Sequence, residues 1–429
     1  MRISSLLVLC FTGLLLWSAC QSRQEMPSLP TPAPLVLPKL VGYPQDGAVQ
    51  LTWGWLWWGS NQPAEDNRPD AFRLLMGSTP DELREVALIS GDETNYRVRN
   101  LRNREVYYFS LEILLANQPS VPANLIAVAP DRLPQAELAL PAEAAPAYWG
   151  SWSGDGQQIA YVGDHPDEPD GAAVFTYHLT NQTWRYRSSG TQPHWRPQQQ
   201  ELAFVTDLVL NRAAPDTSAT YLALLAQDQV NLYLGGDGSY LQPTWSPDGR
   251  RLAFLGRVGA DAHFDLFQTV MGNTPAPQRL TDGFGELSDL SSARDRSPHH
   301  LTWHPNGQQL AYDRYAPHGA PPTYTQDIFA LDLSAPSQET PLITSAWADQ
   351  QPAFSPDGTQ LAYLSDRSGV ATLWLRDLAL GTDRQLYDGH TPAVDVRHSR
   401  LSWSPQGDRL LFNAWLDDST SSLFWLPVR

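Results

Sequence analysis

Three histidines, His299, His300 and His304, lie close together in the chain, and His398 follows further on. Imidazole is a common transition-metal ligand, so this grouping asks first whether a metal could sit here. In a regular strand His300 and His304 would share one face. The competing reading is that they are hydrogen-bonding channel and turn residues, because His304 stands at a turn position that is serine in other copies of the repeat described below. A second candidate is the acidic stretch Asp164-His-Pro-Asp-Glu-Pro-Asp170. Its carboxylates suit calcium, but its spacing matches no recognised calcium loop and two prolines stiffen it, so a solvated loop is expected. Trp55, Trp57 and Trp58 form an aromatic cluster that could stack on sugar rings. Packing against a neighbouring domain is the simpler use of such large apolar surfaces. The chain contains no Gly-x-Ser-x-Gly elbow, no phosphate-binding glycine loop and no dinucleotide fingerprint.

One further residue carries chemistry through its position. The chain has two cysteines, Cys10 and Cys20. Arg2 precedes an apolar stretch, residues 3–17, and Ser18 and Ala19 then lead into Cys20. A positive start, a short apolar core and small residues before a cut site describe a cleaved export signal. Cleavage would discard Cys10 and leave Cys20 without a partner in its own chain, whereas exported proteins normally use cysteines in pairs. Leu16-Trp-Ser-Ala-Cys20 resembles the bacterial lipobox, with Trp17 where that family usually has leucine. The resemblance implies removal of residues 1–19 and lipid attachment at Cys20, and no later apolar run is long enough to span a bilayer. The expected location is the cell envelope, on its periplasmic or extracellular face.

The formal net charge is −17, and Lys39 is the only lysine. Such a surface is a poor partner for nucleic acid or an anionic membrane, and its plainest consequence is solubility. Residues 20–37 are polar and then proline-rich, which predicts an extended tether.

Residues 38–130 read as short alternating strands separated by turns. Examples are Gly47-Ala-Val-Gln-Leu-Thr-Trp53, Ala71-Phe-Arg-Leu-Leu-Met-Gly77 and Tyr107-Tyr-Phe-Ser-Leu-Glu-Ile113. Six or seven such strands over this length predict an antiparallel sandwich. The segment resembles a fibronectin type III domain: Trp53 matches that family's core tryptophan, and Leu101 with Tyr107 has the spacing of its tyrosine corner.

From residue 148 onward one motif recurs six times. Typical copies are Thr244-Trp-Ser-Pro-Asp-Gly-Arg-Arg-Leu-Ala-Phe254 and Ala353-Phe-Ser-Pro-Asp-Gly-Thr-Gln-Leu-Ala-Tyr363. The aromatic anchors Trp152, Trp195, Trp245, Trp303, Phe354 and Trp403 lie 43, 50, 58, 51 and 49 residues apart. That period is the mark of propeller blades. Ser-Pro-Asp-Gly makes a tight turn between two strands, and two further apolar runs per repeat complete a four-stranded blade. The first copy lacks the proline and the second has Gln-Gln-Gln in place of Asp-Gly, so those two are expected to keep their strands but not the same turn. The last repeat offers only three strands, and Ala136-Glu-Leu-Ala-Leu140, before the first repeat, is the candidate for the missing fourth. An open ring would leave an unpaired strand edge.

These repeats resemble those of TolB-type propellers, which are six-bladed. The expected fold is therefore all-β: a six-bladed TolB-like β-propeller over 134–429, preceded by the fibronectin type III-like β-sandwich over 38–130. TolB carries an α/β domain where this chain has a sandwich, so a Tol-system role does not carry over. Propellers of this kind also occur in prolyl oligopeptidase-type peptidases, whose catalytic elbow is missing here. They occur too in oligogalacturonate lyases, which bind a metal through channel histidines. The expected function is that of a noncatalytic, lipid-anchored, monomeric envelope protein whose propeller binds a protein or glycan partner, with no catalytic residue, no metal and no cofactor. The alternative is a lyase-like carbohydrate-active enzyme using channel histidines and a metal. The candidate ligand-binding rim is Arg296, His300, Asp349, Gln350, Asp395, Arg397 and His398. The longest inter-anchor insertion, residues 283–296, is placed over the channel mouth by the same logic.

Overall fold

The first hairpin turns on Gly47, whose φ of 62° is left-handed and sterically free for glycine. The computed structural model describes residues 38–55, 69–114, 120–166, 172–206, 220–235, 238–258, 264–272, 275–281, 299–318, 323–336, 338–388, 392–396, 400–417 and 419–428. The signal and tether with Cys20, Trp57, Trp58, Arg296, Arg397, His398 and the 283–296 insertion fall outside them.

Strand Ala48–Trp55 buries Val49, Leu51 and Trp53 and leaves Gln50 and Thr52 half-buried, the alternation of a sheet with one apolar face. It pairs with Pro38–Gln45 on one side and Asn95–Arg99 on the other. A second sheet holds Arg84–Ser90, Ala71–Gly77, Tyr107–Leu114 and Val121–Pro122, with Ile126–Val128 also on Tyr107–Leu114. One apolar cluster joins the two sheets, with Trp53 edge-on to Phe72 at 5.4 Å. The Tyr107 hydroxyl accepts the Arg102 N–H at 3.1 Å and closes the corner before its strand.

Beyond residue 137, six four-stranded antiparallel sheets follow among the described residues. Five are consecutive along the chain, starting with Ala147–Trp152, Thr191–Trp195, Gly238–Trp245, His299–Trp303 and Asp349–Phe354. The sixth contains Ser402–Trp403, Arg409–Trp415 and Ser421–Pro427, and takes its outer strand, Glu137–Leu138, from before the first sheet. The first strand of each sheet lies against the first strand of the next, and that of the sixth lies against that of the first. A ring of sheets closed in this way is a β-propeller. The closure is reinforced by the Ala139 N–H on Leu423 O at 2.8 Å and by Trp152 of the first sheet stacked on Trp425 of the sixth at 5.9 Å. All six anchor aromatics are buried between sheets.

The repeated turn is built by its side chains. Ser246 donates to Asp248 at 2.5 Å, Asp248 accepts the Arg250 N–H at 3.0 Å, and Ser246 Oγ accepts the Arg251 N–H at 2.9 Å. These hydrogen bonds, that from Ser246 foremost, hold the Asp248 carboxyl below its ordinary range. The expectation of an altered turn is corrected for the first repeat and holds for the second. The first keeps the same turn without its proline, because Gly156 still supplies the left-handed residue at φ 70°. The second keeps both backbone hydrogen bonds, Arg196 N–H to Glu201 O and Gln199 N–H to Arg196 O. Having no glycine, it moves the left-handed residue one place earlier, to Gln198 at φ 59°.

The sandwich docks on the fifth sheet through main chain. The Gly42 N–H donates to Ser368 O at 2.8 Å and the Ala127 N–H to Arg367 O at 2.6 Å. The approach is close at Gly369, where a Cβ would stand 2.4 Å from Leu40 O. Trp347 stacks on Tyr108 at 6.3 Å and donates its indole N–H to Leu125 O at 3.2 Å. Beneath the contact, buried Arg367 pairs with Asp349 at 2.8 Å and Asp383 at 3.2 Å and lies 4.6 Å over the Trp374 ring.

Candidate functional site: the propeller channel

Each of the first five channel-lining strands breaks its pairing register just before its anchor aromatic. At each break stands a non-glycine residue in the left-handed region: Trp149 (φ 56°), Gln192 (φ 55°), Gln242 (φ 53°), His300 (φ 43°) and Gln351 (φ 57°). All five are three residues ahead of their anchors, and Arg400 holds the same place before Trp403. A bulge adds twist and re-aims a side chain, and the left-handed conformation costs a non-glycine residue about 1–2 kcal/mol. The same strain repeated around one axis points to a role at the channel rather than local irregularity.

These side chains link sheet to sheet. Gln192 Oε1 accepts the Gln242 N–H at 2.6 Å, and Gln242 Oε1 accepts the Leu301 N–H at 3.3 Å. The Gln351 N–H donates to Asp313 at 3.0 Å, and its side-chain amide donates to Val396 O at 3.0 Å. One position before the anchors lies a second tier. Ser151 Oγ accepts the Trp195 N–H at 3.3 Å, His194 Nδ1 the Trp245 N–H at 3.3 Å, and Ser402 Oγ the Trp152 N–H at 3.4 Å. Accepting at Nδ1 puts the His194 proton on Nε2. Burial, and then the charge of Arg400, push the His194 pKa well below its ordinary value, so the ring is neutral at pH 7.

The two tiers enclose a cavity of about 230 Å³, lined among others by Ser151, His194, His300, Gln351, Arg400 and Ser402. Arg400 lies deep in the channel, and burial alone pushes its pKa down to about 10. Its one described hydrogen bond runs to Pro243 O at 3.4 Å, which is long.

Of the seven sequence-derived rim residues, four lie among the described residues. His300 reaches the cavity and sets Nδ1 against Asp313 at 2.9 Å. Asp349 is fully buried and committed to Arg367 and to the Ser345 hydroxyl, at 2.8 and 2.6 Å. Gln350 is half-buried opposite Leu364. Asp395 is buried, its N–H on Asn413 O at 3.0 Å. Arg296, Arg397 and His398 lie outside the described residues. His304 does not share a face with His300: the bulge between His299 and Thr302 breaks the alternation, and the His304 ring sits in the turn, edge-on to Phe354 at 4.8 Å. Of the acidic stretch, His165 packs on Tyr186 at 4.5 Å, and residues 167–171 are outside the described set. Among the described residues no group of three or more His, Cys, Asp or Glu side chains is placed to hold a metal. Sequence reasoning missed Gln192, His194, Gln242, Gln351 and Arg400. Aligning the repeats on their anchors and reading the columns one and three places earlier would have exposed them.

No family model matches the chain. A stretch of 118 residues is 28% identical to the uncharacterized peptidase YuxL of Bacillus subtilis (strain 168), covering 27% of this chain and 17% of that relative. Among solved structures, TolB from Acinetobacter baumannii aligns with a TM-score of 0.41 at 15% identity, over 80% of this chain and 78% of that one. An oligogalacturonate lyase in complex with manganese aligns at 0.46 and 14%, over 92% and 97%. The β-propeller domain of the Trilobed protease from Pyrococcus furiosus aligns at 0.41 and 9%, over 91% and 93%. No activity passes from these proteins to this chain.

Proposed function

We propose that this chain is a noncatalytic, lipid-anchored envelope protein, in which a six-bladed TolB-like propeller, braced by a fibronectin type III-like sandwich, binds a polar group of a protein or glycan partner at its channel. The observation that carries the reading is the bulge repeated before the anchors, which turns polar side chains toward one axis above a small cavity. A rigid closed ring that spends backbone strain at equivalent positions suits recognition, because binding groups held in place lose little freedom when a ligand arrives. The export signal and Cys20 supply the envelope and membrane parts of the proposal.

Cross-linking from native membranes with the intact chain tests it. Thr302 lines the cavity, and Thr302→Phe should fill part of the space and abolish a cross-linked partner while circular dichroism and thermal unfolding stay those of a folded β protein. A folded Thr302→Phe protein that keeps its partner would place binding elsewhere. Cys20→Ser should move the protein from the detergent phase to the aqueous phase, or leave it as an uncleaved precursor. Wild-type protein found wholly in the aqueous phase would refute the anchor.

A further inference from the structure

We infer that the channel cavity is a carboxylate-binding site, with the Arg400 guanidinium as its anchor. The inference deepens the channel reading above and rests on it. It starts from an unbalanced charge. A buried guanidinium normally faces a carboxylate, because removing an unpaired charge from water costs several kcal/mol. Elsewhere in this molecule the rule holds: Arg367 is buried against Asp349 and Asp383, and Arg376 against Asp383 at 2.7 Å. Arg400 is half-buried in the channel, yet among the described residues its only hydrogen bond is the long one to Pro243 O, and no ion pair reaches it. It also lines an open cavity. A charge kept there with no carboxylate paired to it among the described residues is arranged for an external one.

The surrounding groups complete the selection. Ser151 and Ser402 each use an oxygen lone pair to accept a backbone N–H, which leaves each hydroxyl hydrogen available to donate. His194 likewise accepts at Nδ1 and carries its proton on Nε2, 3.5 Å from Thr244 Oγ1. The wall is therefore rich in donors, and Arg400 is the only arginine or lysine that lines it, beside the hydroxyls, the neutral His194 ring, and His300, which is set against the Asp313 carboxylate. One positive charge balances a monoanion, and the planar guanidinium fork matches the two oxygens of a carboxylate. A phosphate dianion would remain half-compensated. The cavity, about 230 Å³, takes a small acid or the end of a chain and not a large ligand.

The test uses the purified full-length chain in detergent and reads binding by thermal shift and by titration calorimetry. Acetate and succinate probe a free acid, with sodium chloride at matched ionic strength as the comparison. N-acetylglycylglycine against its C-terminal amide probes a chain end. The expected result is a saturable rise in Tm with at least one acid, none with chloride, and none with the amide. Arg400→Gln should remove the response, and Arg400→Lys, which keeps the charge and loses the fork, should weaken binding about tenfold. If Arg400→Gln fails to fold, Ser402→Ala serves instead and should weaken binding by a smaller factor. The inference is overturned if no acid gives a saturable response, if chloride or phosphate acts as strongly as the acids, or if a folded Arg400→Gln protein responds like the wild type. Partner capture and acid binding fail independently: a chain that binds acids but captures no partner rejects the broader reading alone, and one that captures a partner but binds no acid rejects this inference alone.

Discussion

At the residue scale the channel depends on side chains whose acceptors are occupied by the backbone of the next sheet. His194 is the clearest case, with Nδ1 bonded to the Trp245 N–H and its pKa held down by burial and by Arg400. The sign of its pH effect follows. A folded pKa below the unfolded value, about 6.5, means that the unfolded chain takes up the proton first. The stability gained by keeping His194 neutral is therefore complete above the unfolded pKa and is lost as the pH falls below it, at no more than about 1.4 kcal/mol per pH unit. Urea midpoints at pH 7.5 and 5.5 should fall further for the wild type than for His194→Gln, which has no proton to gain. Equal falls would show that His194 is charged or exposed in the folded state.

At the element scale two devices act, the bulge and the borrowed strand. The bulge breaks the period-two rule, so residues that alternation would place together, such as His300 and His304, part company. The borrowed strand Glu137–Leu138 pairs with Ser421–Pro427 and makes the last sheet from both ends of the propeller segment. Trp425 strengthens the joint by donating its indole N–H to Glu137 at 3.0 Å. Ala139→Pro deletes the donor to Leu423 O and leaves that carbonyl unpaired, which should lower stability by about 1–3 kcal/mol. Chemical denaturation measures it, and an unchanged midpoint would mean that the closure contributes nothing to the ring's stability.

At the scale of the whole molecule the sandwich is bonded to the propeller through the fifth sheet. Main-chain hydrogen bonds from Gly42 and Ala127 end on Ser368 and Arg367, and the buried ion pairs of Arg367 hold that turn in place. Trp347 adds the stack on Tyr108 and the hydrogen bond to Leu125 O. Trp347→Ala should cost on the order of 2 kcal/mol. Because the loss falls at the junction, limited proteolysis should cut between the sandwich and the propeller sooner than in the wild type. A digestion pattern identical to the wild type's would show that the main-chain contacts alone hold the two together.

The sequence by itself determined the repeating unit. Anchors such as Trp245 and Phe354, the Ser-Pro-Asp-Gly turns and the orphan strand before the first repeat are local or periodic features, and period and turn chemistry are written in neighbouring residues. The alternation around Trp53 likewise announced a sandwich strand. Tertiary structure alone decided the channel. Which side chain faces the axis depends on a bulge that changes strand parity, and no single repeat states that parity. Whether a charge has a partner depends on residues brought together from different sheets. So Asp349, which the sequence places at a rim, is buried against Arg367, while Arg400, which sequence reasoning passed over, lines the cavity with no carboxylate paired to it among the described residues.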